Sequence, residues 1–213
     1  MHTWEEILTR IIVIRHGQTA WNEGEGERFR GRVDVELDEK GINQAEATAK
    51  RIAREKVDAI YSSPLKRTIR TAEALAKPSG LPVQPLEGLI DIDFGKWQGL
   101  SLKEAAADDP KLYELWLHSP HMVTFPQGEN LGHVQQRVVT ALETLLPKHP
   151  EHTIVLVSHK VVCKVLLCHF LGLDTSRFWR VGQDTCAVNI VEAIDNNFVV
   201  ALLNDTCHLE ELE

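Results

Sequence analysis

Short apolar runs alternate along the chain with longer stretches in which apolar residues recur every three or four positions. Ile11-Ile12-Val13-Ile14 and Thr153-Ile154-Val155-Leu156-Val157 are β-branched and unalternated, the pattern of strands covered on both faces of a parallel sheet. Asp58-Ala59-Ile60-Tyr61 is a third candidate strand, broken by Ser62-Ser63-Pro64. Helical spacing runs from 41 to 54 through Ile42, Ala45, Ala49, Ile52 and Ala53. It returns from 67 to 77 through Ile69, Ala72 and Ala76, and Pro78-Ser79-Gly80 stops it. Single helices are predicted over 102–117, 130–146 and 161–171, and two late strands over 187–191 and 198–203, joined by a hairpin turn at Asp195-Asn196-Asn197.

Strands alternating with helices predict an α/β fold: a three-layer α/β/α sandwich around a mostly parallel central sheet. The stretch 96–129 holds one helix and a loop rich in Pro, His and Gly, and reads as a cap over a site within one domain spanning 1–213. Ligands of such folds collect at the carboxyl ends of the strands. Two strands deliver a histidine there, His16 and His159.

Composition narrows the functions. A formal net charge of −8 and a pI near 5.7 disfavour nucleic acid and anionic membrane surfaces, which need a broad basic face. An anionic ligand must then be held by a local cluster. No window has the roughly 18 consecutive apolar residues of a membrane span, and the start has neither the basic region nor the apolar run of a secretory signal, so a cytoplasmic location is expected. Cys163, Cys168, Cys186 and Cys207 lack CxxC spacing and paired histidines, which predicts reduced thiols, no disulfide framework and no metal site.

Arg15, His16, Arg67 and His159, brought together by the strand ends, would bind a phosphate dianion. Guanidinium forks match phosphate oxygens and stay charged, and they disfavour protonation of a neighbouring imidazole, leaving it nucleophilic. Helix-opening amides of Lys160 and Val161 would add a dipole-assisted anion site. Phosphoryl transfer needs positioning and charge stabilisation, so arginines and a histidine can stand in for a metal. A carboxyl group must still protonate the leaving alkoxide, and Asp91 and Asp93 are candidates.

Five ordered segments carry a resemblance to a known family. Ile12-Val13-Ile14-Arg15-His16-Gly17-Gln18-Thr19 through Asn22 is similar to the Arg-His-Gly signature of the histidine phosphatase (phosphoglycerate mutase-like) superfamily. It is followed in the family's order by Tyr61-Ser62-Ser63-Pro64-Leu65-Lys66-Arg67-Thr68, by Asp91-Ile92-Asp93-Phe94-Gly95-Lys96-Trp97-Gln98-Gly99, by Gly128-Glu129-Asn130 and by Val157-Ser158-His159. The resemblance implies a metal-independent phosphatase without cofactor that acts on a small phosphorylated metabolite through phosphohistidine on His16. It implies Arg15, Arg67 and His159 as phosphate clamps, with Gln18, Thr19 and Asn22 as further contacts, and Asp91 as acid/base. A homodimer is expected from kinship alone.

The chain departs from the family at three places. Asp91 stands where glutamate is usual, so Asp93 or Glu129 is a possible sharer of its task. Lys160 follows His159 where glycine is frequent and adds a charge at the pocket mouth. Arg30 replaces the more usual glutamine before Gly31. His208, in Asn204-Asp205-Thr206-Cys207-His208-Leu209, either lines the site or caps the last strand. The remaining histidines read as surface or satisfied polar groups, and Trp97, Trp116 and Trp179 as core or interface aromatics.

Two alternatives accompany hydrolysis. A cofactor-dependent phosphoglycerate mutase is disfavoured because Trp116 to Glu129 contains no arginine to hold a second anionic group. An impaired phosphate-binding relative is suggested by the shorter acid at position 91. Similarity of Phe178-Trp179, Gln183-Asp184 and the Thr206–Leu209 tail to metal-independent phosphoserine phosphatases makes phosphoserine a candidate substrate. Phe94, where those enzymes tend to have histidine, keeps α-ribazole phosphate and sugar phosphates open.

Overall fold

The computed structural model describes residues 8–22, 27–194 and 197–212. Six strands form one sheet in the order β3-β2-β4-β1-β5-β6, namely β1 (Leu8–Arg15), β2 (Ala59–Ser62), β3 (Val83–Pro85), β4 (Thr153–Ser158), β5 (Val188–Ile194) and β6 (Asn197–Asp205). The pairings β3·β2, β2·β4 and β4·β1 are parallel, and β1·β5 and β5·β6 antiparallel. The sheet is therefore mixed, its parallel half being the part the apolar runs predict. The expected turn at Asp195-Asn196 lies outside the described residues, as does His2.

Helices cover both faces. α1 (Glu39–Ile52) and α2 (Lys66–Ala76) border the core formed by Ile12, Ile14, Ile60, Val155 and Val157. α5 (Leu131–Leu145) and α6 (Lys160–Phe170) pack on the opposite face, with Ile11, Val13, Ile154 and Leu156. The alternation of one strand's side chains between two buried faces explains why the centres of β1 and β4, Ile11–Ile14 and Ile154–Val157, are apolar without a break. Caps set the helix starts: the Asp38 side chain accepts from Gly41 N at 2.7 Å and that of Asn130 from His133 N at 2.8 Å.

The single helix predicted over 102–117 is two, α3 (Leu102–Asp108) and α4 (Pro110–His118). Proline at 110 excludes Asp109 from helical backbone, and Asp109 instead caps α4 by accepting from Leu112 N at 3.0 Å. Edge strand β3 escapes the pattern because its three residues are largely exposed and end in proline. No helix among the described residues is long and apolar enough to cross a membrane.

Candidate active site

Parallel register places the two histidines. Arg15 at the end of β1 pairs with Ser158 at the end of β4, so the next residue of each strand, His16 and His159, leaves the sheet side by side. Their ring centroids lie 5.4 Å apart. On the other side of β4, Ser62 of β2 pairs with Val157, and the turn through Ser63 and Pro64 starts α2, which brings in Arg67. Gly17 is required where β1 exits, because a Cβ there would collide with the carbonyl of Gly41.

The hydrogen bonds fix both imidazoles. His16 Nδ1 lies 2.6 Å from the Gly17 carbonyl, which can only accept, so Nδ1 carries the proton and Nε2 presents its lone pair. Arg67 Nε donates to His159 Nδ1 at 3.2 Å, so the proton of neutral His159 sits on Nε2, 2.7 Å from Ser63 Oγ. Burial, then the charges of Arg30, Arg67 and Arg15, hold His16 well below the ordinary histidine value of 6.5. Burial, Arg67, His16 and Arg30 do the same to His159. Burial first, and then Arg67, favour the neutral form of the His159 ring.

The guanidinium groups are equally anchored. Arg15 Nη1 donates to Gln183 O at 2.8 Å. Arg67 donates to the carbonyls of Gly31 and Val33 at 2.7 and 2.9 Å and to Asp91 Oδ2 at 3.2 Å. Arg30, set apart in the sequence only as a departure, enters the cluster: its Nη2 is 3.3 Å from His16 Nε2, and its Nη1 donates to Thr19 Oγ1 and, at 3.1 Å, to Asn22 Oδ1. The buried Nε atoms of Arg15 and Arg30 find no partner among the described residues.

Of the three candidate carboxylates, only Asp91 is in the cluster, with Oδ2 3.6 Å from His159 Nδ1. Burial raises its pKa, while Arg67 and Arg30 work against that rise. Asp93 accepts from Gly95 N at 2.8 Å, and Glu129 accepts from Asp93 N and pairs with Arg137 and Arg32. Both shape the loop. Arg137, for which the sequence carries no signal, donates to the carbonyls of Gly88 and Asp91 and fixes that loop to α5. Ser158 Oγ, donating to Leu89 O at 2.7 Å, ties it to β4.

Above the cluster opens a cleft of about 570 Å³. Arg15, Gln18, Asn22, Arg30, Asp91 and Lys160 line its polar end, and Phe94, Tyr113, Trp116, Phe178 and Trp179, with Leu117, a largely aromatic wall. His16, Arg67 and His159 are fully buried beneath the polar end. Thr19, also buried, donates to Asn22 Oδ1 at 2.8 Å, and Gln18 N donates to Gln44. Lys160 Nζ lies 4.0 Å from Glu27 at the mouth. His208 is not brought to the cluster: it bonds Thr48 Oγ1 of α1 at 3.0 Å, because the turn Cys207–Leu212 packs against α1, and Thr206 and Leu209 reach the cleft instead.

The arrangement matches known proteins along nearly its whole length. A profile of the Histidine phosphatase superfamily (branch 1) matches residues 11–206. Phosphoserine phosphatase 1 of Hydrogenobacter thermophilus is 37% identical over 204 residues, covering 96% of each chain. A metal-independent phosphoserine phosphatase of Arabidopsis thaliana is 30% identical over 98% of this chain and 86% of its own. Among solved structures, Bacillus stearothermophilus YhfR superposes with a TM-score of 0.90 at 31% identity, over 95% of this chain and all of that one. With paired strand-end histidines, a guanidinium cluster around one ring and a profile covering residues 11–206, this chain belongs to the histidine phosphatase superfamily.

Proposed function

We propose that the chain is a metal-independent phosphatase of small phosphomonoesters, working through phosphohistidine on His16. The observation that carries this reading is the state of that ring: its Nδ1 proton is held by Gly17 O, and its Nε2 lone pair faces the guanidinium cluster at the base of the cleft. Arg15 and Arg67, whose charges both act on His16, supply the charge stabilisation that a metal supplies elsewhere. Asn22, Gln18 and Thr19 shape the rim that holds the phosphoryl oxygens, and Lys160 faces the alcohol portion.

In the first half-reaction Nε2 forms the N–P bond while the P–O bond to the alcohol breaks, and Asp91 gives its proton to the departing oxygen. In the second, Asp91 takes a proton from water, whose oxygen attacks phosphorus, and the N–P electrons return to His16. Aspartate suffices because the loop carrying it is pinned by Arg137 and Ser158 close to His159 and Arg67. That placement argues against an impaired site. Hydrolysis is favoured over mutase activity because the wall beyond the phosphate is aromatic and contributes no arginine from α3 or α4.

The alcohol portion meets Trp116, Phe178 and Trp179, and phosphoserine heads the substrate panel because two relatives bear that activity in their names. The reading includes a cytoplasmic enzyme and a homodimer, the latter tested by sedimentation. The deciding experiment is phosphate release from a panel of phosphomonoesters with chelator present, together with ³¹P detection of acid-labile phosphohistidine. Chelator-resistant turnover that vanishes in His16→Ala is expected. Undiminished turnover in that variant, or interconversion of phosphoglycerates faster than phosphate release from any ester, overturns it.

A further inference from the structure

We infer that Arg30 is a third phosphate-binding guanidinium of this site: it caps the resting nucleophile and passes to the phosphoryl oxygens when substrate enters. The inference rests on the phosphatase reading and adds a residue to it.

Three geometric facts carry it. Arg30 Nη2 lies 3.3 Å from His16 Nε2, and since Nδ1 holds the ring's proton, this contact is a donation from the guanidinium into the lone pair that must attack phosphorus. The other arm, Nη1, is held by Thr19 Oγ1 and Asn22 Oδ1, so the group is aimed from a fixed base. Its Nε is buried with no partner among the described residues, an uncompensated donor on the same guanidinium. Desolvation and repulsion from Arg67 and Arg15 weaken its hold on its proton, as expected of a cation stored where an anion belongs.

Charge balance points the same way. Arg30 brings a further positive charge to the polar end of the cleft, where the ligand is a phosphate dianion. No carboxylate is paired with Arg30 within salt-bridge distance among the described residues. Entry of a phosphomonoester dianion replaces the imidazole as acceptor for Nη2, which frees the lone pair on Nε2 at the moment phosphorus arrives. A phosphodiester, carrying a single charge, has less with which to displace the cap.

The test compares wild type, Arg30→Gln, Arg30→Lys and His16→Ala on p-nitrophenyl phosphate, with inorganic phosphate and vanadate as competitive inhibitors and folding followed by circular dichroism. Arg30→Gln is expected to lose about a hundredfold in kcat/KM, the usual size of losing one positioned donor to a developing oxyanion. Both inhibition constants should weaken by about tenfold or more, and Arg30→Lys, retaining charge without the fork, should recover the inhibitor affinities but only part of kcat. If Arg30→Gln does not fold, Arg30→Lys decides: unchanged kcat overturns the inference, and reduced kcat with retained inhibitor binding supports it. If Arg30→Gln stays within about threefold of wild type throughout while His16→Ala is inactive, the inference is wrong and the phosphatase reading stands. Activity in His16→Ala instead sinks the reading itself.

Discussion

Replacing Asp91 by asparagine separates its two contributions to the site, because the change keeps size and removes the negative charge of the ionised form and the transferable proton of the protonated one. The fold should tolerate it: Arg67 remains held by the carbonyls of Gly31 and Val33, and an amide oxygen can still accept from Ile92 N as the carboxylate does at 3.0 Å. Phosphate binding should tighten. The carboxylate is 3.6 Å from His159, whose ring centroid is 5.4 Å from that of His16, so a phosphoryl group on Nε2 lies roughly 5–8 Å away. At an effective dielectric of about 20, removing one negative charge at that range relieves up to several kcal/mol of repulsion with a dianion. Rearrangement and residual solvent reduce this, and a ten- to hundredfold fall in the phosphate inhibition constant is expected, about 1.4–2.7 kcal/mol.

Turnover should move the other way. An alkyl phosphate loses its proton donor and should slow by about 10²–10⁴, whereas p-nitrophenolate leaves without help, so phosphorylation of His16 by the aryl ester should be nearly preserved. Dephosphorylation still lacks its base. Stopped-flow absorbance should therefore show a burst of p-nitrophenolate equal to the enzyme concentration, followed by a slow phase while phosphohistidine accumulates. Equal losses on alkyl and aryl esters, with no burst and no tightening by phosphate, would refute the assignment of Asp91 as the proton carrier.

Acidification should destabilise the protein for a reason specific to the site. His16 and His159 are held well below 6.5 in the fold, so below about pH 6.5 the unfolded chain binds more protons, and stability falls by up to about 1.4 kcal/mol per pH unit for each ring. Asp91, raised by burial, acts in the opposite sense, its folded form taking up a proton before the unfolded one as pH falls. Thermal melts from pH 7.5 to 5.5 should show the fall, and it should be shallower in His159→Gln; an equal slope in that variant counts against the buried neutral ring. Gly17→Ala should cost about 1–3 kcal/mol and most of the activity, because the added methyl meets the backbone of Gly41; a melt within 0.5 kcal/mol of wild type, roughly the scatter of neutral substitutions, would show that the β1 exit has room. Trp179→Ala should raise KM for aromatic esters more than for small alkyl ones while changing stability little, since the side chain is 40% exposed yet lines the cleft; equal KM changes would remove the aromatic wall from substrate recognition.

What the sequence disclosed and what it withheld follow one physical division. β1, β2 and β4 are legible because the central positions of strands buried on both faces are apolar without alternation, and polar residues at and just beyond their carboxyl ends stand out against that background, His16, Ser63 and His159 among them. Their meeting needs only parallel register, which sets Arg15 beside Ser158 and Ser62 beside Val157. Side chains that arrive from loops leave no such trace. Arg30 lies in a stretch without periodicity, so its oddity was visible as a residue type but its approach to His16 Nε2 was not. Arg137 sits on α5 between Gln136 and Val138, and nothing in the spacing distinguishes a guanidinium turned inward onto the Asp91 carbonyl from one left in water. His208 shows the converse: a motif was recognised, but the final 3-10 turn aims that ring at Thr48 and leaves Thr206 and Leu209 to face the cleft. Chemistry placed at strand ends is thus fixed by a register that apolar patterning specifies, whereas chemistry placed on loops depends on individual hydrogen bonds such as Arg30 to Thr19 and Asn22. For this reason the loop-borne arginine, more than either histidine, is where this chain's phosphate site is expected to differ in behaviour from those of its relatives.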